Sequence, residues 1–160
     1  MARLEIDIPF DVWNCMLDHV KAVSPEEGCG ILGGRGDRAQ LAIPVENELH
    51  SDTRFRMAPE AQIEAMFRLD QLGLDLIAIF HSHPSGPADA SPSDLAEAAY
   101  PEAAYLIWCP SPEWSCRGFD LSGKGARPML VRLLAPDEEE PGADGLSLAA
   151  GFGQDIGDGC

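Results

Sequence analysis

Two histidines separated by one residue close an apolar run, and no other feature constrains this chain as tightly. The stretch reads Leu76-Ile77-Ala78-Ile79-Phe80-His81-Ser82-His83-Pro84. An uninterrupted apolar run with β-branched members predicts a buried strand, and Pro84 forces the chain out of it. Side chains alternate across a strand, so His81 and His83 point the same way and can share one metal ion. A turn rich in Pro and Gly then leads to Ser91-Pro92-Ser93-Asp94. Asp94 can complete a set of three ligands, which leaves the fourth position of a tetrahedral zinc site open to water and so to catalysis.

The same residues also have an ordinary explanation. Lone histidines are mostly structural, and Ser91-Pro92-Ser93-Asp94 is a good helix start: Ser91 as N-cap, Pro92 at the first helical position, Asp94 answering the cap. The two readings are compatible, because a helix N-terminus can aim an acid at a metal while its first turn is capped. A hydrolytic zinc site further needs a base for the proton of the attacking water. Ser24-Pro25-Glu26-Glu27-Gly28-Cys29-Gly30-Ile31-Leu32-Gly33-Gly34 reads as the end of a helix followed by a short, buried, glycine-flanked strand. That would set a carboxylate, Glu26 or Glu27, at the edge of the sheet, although such a pair alone is commonly a solvated helix end.

Together these residues resemble the JAMM zinc metalloprotease family, also called MPN-plus or Mov34-type, in its compact bacterial branch. The shared pattern is a Glu, then His-x-His-Pro, six residues, Ser, two residues and Asp. The resemblance implies one Zn2+ per chain held by His81, His83 and Asp94, with Ser91 steadying an oxyanion. It implies Glu27 as general acid/base, because Glu27-Gly28-Cys29-Gly30 matches the family's Glu-x-Cys-Gly segment and Glu26 is one residue out of register. It runs from about residue 4 to about residue 134 and takes in Phe55-Arg56-Met57-Ala58-Pro59-Glu60 and the Asp94-Leu95-Ala96-Glu97-Ala98-Ala99-Tyr100-Pro101 helix. The turn His83-Pro84-Ser85-Gly86 is also similar to the RadC-like branch, but the chain has no room for the additional N-terminal domain expected there. The activity implied is that of a peptidase or deubiquitinase-like isopeptidase. The substrates implied are ubiquitin-like or sulfur-carrier proteins, cut after a Gly-Gly tail. A phage or cell-wall zinc peptidase is a second reading. A binding module with a purely stabilising zinc is a third, against which the complete Glu and Ser argue.

The chain has 160 residues, the length of one domain with a sizeable core. Its 27 acids against 11 bases give a net charge of −16, which excludes nucleic acid as a partner because phosphate binding needs a basic footprint. No Lys or Arg follows Arg132, whereas Asp137, Glu138, Glu139, Glu140, Asp144, Asp155 and Asp158 do. Residues 1–134 therefore read as the catalytic domain and 135–160 as an acidic, Gly-rich flexible tail with too few large apolar residues to repay ordering. The tail's other reading is a docking segment for a basic partner. Five cysteines (Cys15, Cys29, Cys109, Cys116, Cys160) form no C-x-x-C pair and follow no secretion signal, which fits a reducing cytoplasm. Cys29, two residues after Glu27, reads as a buried strand thiol. No apolar run approaches the roughly 18 residues of a membrane span. A homodimer is compatible with the sequence.

Periodicity places an edge strand at 4–8, a helix at 10–23 and strands at 28–34 and 39–46. It adds a short strand at 54–57, a helix opened by Pro59 and ended by Gly73, and the central strand at 74–81. A helix at 91–100 and strands at 103–109, 115–121 and 129–134 complete the chain. Strands with interspersed helices make an α+β or α/β layered domain, a mixed central sheet flanked by helices. The resemblance implies the same, as a JAMM/MPN-like core of cytidine-deaminase-like type.

Overall fold

The computed structural model describes residues 3–136. In chain order the elements are β1 (Glu5–Pro9), α1 (Phe10–Val23), β2 (Cys29–Arg35), β3 (Arg38–Val45) and α2 (Pro59–Gln71). They continue with β4 (Asp75–Ser82), α3 (Pro92–Glu97), β5 (Ala104–Cys109), β6 (Ser115–Asp120) and β7 (Arg127–Leu134). The strands form one mixed sheet in the order β1-β3-β2-β4-β5-β6-β7, and it closes on itself. The expected acidic tail lies, from residue 137 on, outside the described residues.

Each helix boundary follows from local chemistry. Asp11 in the first turn of α1 and Lys21 in its last complement the helix dipole. Pro59 occupies the first turn of α2, where a missing N–H costs nothing. Gly73, at φ +67°, takes the left-handed conformation that ends α2. Two differences from expectation concern short segments. Residues 54–57 contribute only a single bridge, Met57 to Asn47. Helix α3 stops at Glu97, and its C-cap Ala98 is already extended.

The closing strand is the larger difference. Residues 4–8 alternate like an edge strand, yet β1 runs parallel to β7 from the pair Glu5/Leu130 to the pair Pro9/Leu134 and meets β3 at Asp7/Arg38. Asp7 also pairs with Arg132 at 2.7 Å. Every strand thus has two neighbours, although β1 meets β3 only at Asp7/Arg38, and the rest of β3 is paired with β2 alone.

Both faces of the central strands are covered, which is why they read as continuous apolar runs. Ala78 and Phe80 of β4 with Leu106 and Trp108 of β5 pack beneath Val12, Met16 and Val20 of α1. Ile79, Tyr105 and Ile107 face the other way, toward Ala65 and Leu69 of α2. Trp114 packs partly buried against the α1-side core. The parallel pairing of β4 with β5 runs from Ala78/Ala104 to Ser82/Trp108, so the histidines emerge at the carboxyl ends of two adjacent parallel strands. No helix among the described residues is long and apolar enough to cross a membrane.

Gly30 of β2 lies between Pro44 and Phe80, and the strand has no room for a side chain there. A methyl group would sit 2.5 Å from both the Ile43 carbonyl oxygen and the Phe80 ring. Overpacking of this kind costs roughly 1–3 kcal/mol. Gly30→Ala is therefore expected to lower the unfolding free energy measured in urea by that amount, and an unchanged value would show that β2 and β4 can separate without penalty.

Candidate metal centre and active site

The site is assembled from four segments that meet at the end of β4. Strand alternation sends His81 and His83 to one side, as expected, and both are buried. The backbone carries the second histidine past the strand end through a bond from its N–H to the Trp108 carbonyl at 2.8 Å. The chain then turns and returns as the first turn of α3, which presents Asp94. His81 Nε2 and His83 Nε2 stand 3.0 Å apart. Asp94 Oδ1 lies 3.2 Å from the first nitrogen, and Oδ2 lies 3.2 Å from the second.

Those separations test the site for a metal. Ligand atoms at the usual 2.0–2.1 Å from a tetrahedral zinc lie roughly 3.3 Å from one another, close to the distances found. The tautomer also suits an ion. His83 Nδ1 lies 2.7 Å from the Pro87 carbonyl, which can only accept, so Nδ1 carries a proton; in the neutral ring that leaves the Nε2 lone pair toward the cluster, whereas in the protonated, metal-free ring Nε2–H donates to Asp94. Burial favours the neutral form of His81 against the pull of Asp94, and a neutral ring is the ligating form. Burial opposes ionisation of Asp94, yet the hydrogen bonds from His81 and His83 outweigh it and hold the carboxyl far below its usual range. For His83 too, burial favours the neutral ring, but its bonds to Asp94 and Pro87 raise its proton affinity on balance. Two imidazoles and an ionised carboxylate therefore converge on one point, a donor set that fits zinc.

Glu27 is delivered by the turn after α1. Its N–H donates to the Ser51 carbonyl at 2.8 Å, and its own carbonyl accepts from Asn47 Nδ2 at 3.0 Å. The next residue is clamped across to β4, where the Gly28 N–H donates to Ser82 Oγ at 2.8 Å. Only 4% exposed, Glu27 joins His81 and His83 in a group whose potential ligand atoms all lie within 4.8 Å of one another. Glu26 points elsewhere, to His50 Nδ1 at 3.0 Å on the surface. Burial pushes the Glu27 carboxyl up to about 7; the charge of His83 works against this, while Asp94 and Asp52 add to it. Burial, with the charge of Glu27, also pushes the Cys29 thiol up to about 12, which makes it an unreactive strand thiol.

Ser91 caps α3. Its hydroxyl accepts from the Asp94 N–H at 3.2 Å while the Ser91 N–H donates to Asp94 Oδ2 at 2.8 Å. Helix capping and convergence of Asp94 with the histidines are thus both present in one turn. Ser91, Glu27 and His83 line the same cleft of about 330 Å³, together with Asp52, Thr53 and Gly86.

Three supporting groups were not legible as site residues. Asn47, buried in what reads as a polar loop, holds the Glu27 carbonyl. The Pro87 carbonyl orients His83. The ring of Phe55 stacks on His81 with centroids 4.5 Å apart. An Asn beginning Asn-Glu-Leu-His gives no local hint of burial, and a backbone carbonyl gives none at all.

The model describing prokaryotic homologs of the JAB domain matches residues 10–118. The chain belongs to this family. Relatives of this JAB domain include a Thermus thermophilus protein named as a probable TtuB-protein conjugate cleaving protease. It is 40% identical over 91 residues, which are 56% of this chain and 60% of that protein. The CysO-cysteine peptidase of Mycobacterium tuberculosis is 30% identical over 99 residues, 61% of this chain and 68% of that one. The match thus spans about 60% to two thirds of these relatives' own length. A solution structure of a protein from Desulfitobacterium hafniense superposes with a TM-score of 0.74 at 30% identity, covering 81% of this chain and 93% of that one.

A carboxyl whose pKa rises on folding holds its proton more tightly in the folded state. Glu27 in the metal-free JAB domain therefore weakens folding progressively as pH climbs from its ordinary 4.5 through about 7. Glu27→Gln is expected to be more stable than the unmodified metal-free protein at pH 8, by about 1–3 kcal/mol. The gap should narrow toward pH 5. Equal urea midpoints at pH 8 would mean that the carboxylate is not desolvated.

Proposed function

We propose that this protein is a zinc-dependent peptidase or isopeptidase that hydrolyses the amide bond after the C-terminal Gly-Gly of a ubiquitin-like or sulfur-carrier protein. The observation that carries the reading is a buried carboxyl with a pKa near 7 held within 4.8 Å of two histidines that share Asp94. His81, His83 and Asp94 would hold one zinc ion, which when bound polarises the scissile carbonyl and makes water nucleophilic at neutral pH. Glu27 takes a proton from the attacking water and returns it to the leaving nitrogen, and a pKa near the working pH suits both transfers. Ser91 spends an acceptor lone pair on the Asp94 N–H, so its O–H is free to donate to the oxyanion that develops on the carbonyl.

The substrate class is supported by the relatives' names, one for cleaving protein conjugates and one for a CysO–cysteine junction. The cleft that Glu27 shares with His83 and Ser91 holds about 330 Å³, and glycine, without a Cβ, brings a backbone closest to its walls. The loops at 51–53 and 85–92 line this cleft, and an incoming tail would lie along them. This reading assigns catalysis to residues 1–134 and no catalytic part to 135–160. It places the reaction in the cytoplasm.

A panel of ubiquitin-like and sulfur-carrier fusions, each extended past its Gly-Gly, tests the reading by intact mass. Zinc-loaded protein is expected to cut directly after Gly-Gly, and a chelator to abolish the cut until zinc is restored. Glu27→Ala should lose about 10²–10⁴-fold in rate while still binding zinc, and Ser91→Ala about 10²–10³-fold. Full activity in metal-free protein would overturn the scheme. Zinc binding without any cleavage would leave a metal site and remove the substrate assignment.

A further inference from the structure

We propose that Phe55 orients the His81 ring, the task a hydrogen bond performs for His83, and that Asn47 aims Phe55. The inference rests on the zinc reading above and assigns two positioning residues to that site.

The two histidines are held differently. His83 is fixed at Nδ1 by the Pro87 carbonyl. His81 Nδ1 is buried and has no hydrogen-bond partner among the described residues. Ring torsions of histidine are broad, so a ligand without that anchor needs its plane set by packing. The Phe55 ring does this, lying nearly parallel to His81 at 23° with centroids 4.5 Å apart. In that plane Nε2 faces His83 Nε2 and Asp94 Oδ1.

Phe55 sits in a loop, and a loop residue can serve as a template only if its backbone is fixed. Asn47 fixes it on both sides of the ring. Its Nδ2 donates to the Arg54 carbonyl at 3.0 Å, and its Oδ1 accepts from the Arg56 N–H at 3.0 Å. Its remaining capacity goes to the Glu27 carbonyl and the Leu49 N–H. A primary amide offers two N–H groups and two lone pairs, and all four are used. One buried side chain therefore ties the loop that orients a metal ligand to the backbone that carries the base.

Zinc dissociation constants, measured by competition with a chromophoric chelator, test this, with a thermal melt of each metal-free variant to follow folding separately. Phe55→Leu, at a partly buried position, is expected to weaken zinc binding about 10–100-fold, the range for removing a group that orients a ligand. Phe55→Tyr keeps the ring and should restore the unmodified affinity. Asn47→Ala should weaken binding as well, and the Asn47→Ala/Phe55→Leu pair should be no weaker than its weaker member, because both act through one contact. Unmodified affinity in Phe55→Leu overturns the inference, and additive losses in the pair overturn the Asn47 step. An unmodified protein that binds no zinc would instead overturn the reading on which the inference rests.

Discussion

Electron-rich atoms aimed at one point repel one another, and the fold around this site is built to hold them there. His81 Nε2, His83 Nε2 and Asp94 converge to 3.0–3.2 Å inside the protein. Only a cation or a shared proton makes such a cluster favourable, so the scaffold must resist its spreading. It does so by using backbone that is already committed elsewhere. The histidines extend a strand paired on both sides, and Asp94 sits in a helix turn closed by its own capping box. Each ligand therefore inherits its position from hydrogen bonds that the fold makes for its own stability.

Glu27, the proposed base, depends on the same economy. Among the described residues only the charge of His83 works to ionise Glu27, and burial is what sets its proton affinity. A carboxylate so desolvated costs stability, which the surroundings offset through backbone bonds on each side: Glu27 to Ser51 and Asn47, Gly28 to Ser82. The thin strand that follows permits this closeness. With Gly30 between Pro44 and Phe80, β2 can draw tightly against β3 and β4 and carry its first residues into the cleft.

What could be read from the sequence was local in origin. Alternation along β4 put both histidines on one side, and the grammar of a helix start located Ser91 and Asp94, because both signals span only a few residues. Glu26 and Glu27 are adjacent and chemically alike, so only the resemblance separated them. The structure turns one outward to His50 and the other inward. Closure of the sheet was hidden because β1 pairs with β7, about as far along the chain as the domain allows, and an isolated alternating strand reads the same whether one or both of its sides are paired. Asn47 was hidden because its burial depends on a loop folding back over it, and the Pro87 carbonyl because a backbone acceptor has no residue type.

Ser91 shows how a structural role and the proposed chemical one would share a single hydroxyl. An N-cap uses the oxygen only as an acceptor, and in α3 the Asp94 N–H takes that lone pair. Oxyanion stabilisation would use the O–H only as a donor. The two demands fall on opposite sides of the same atom and do not compete; the cap even assists, because it restrains the oxygen and leaves the proton as the one free direction. Asp94 is bound into the same logic, since the oxygen that answers the Ser91 N–H also faces His83. Moving the serine would disturb the helix start, and moving the helix start would carry away Asp94, the proposed third ligand. In this turn the capped helix start is what would make the proposed catalytic role geometrically available.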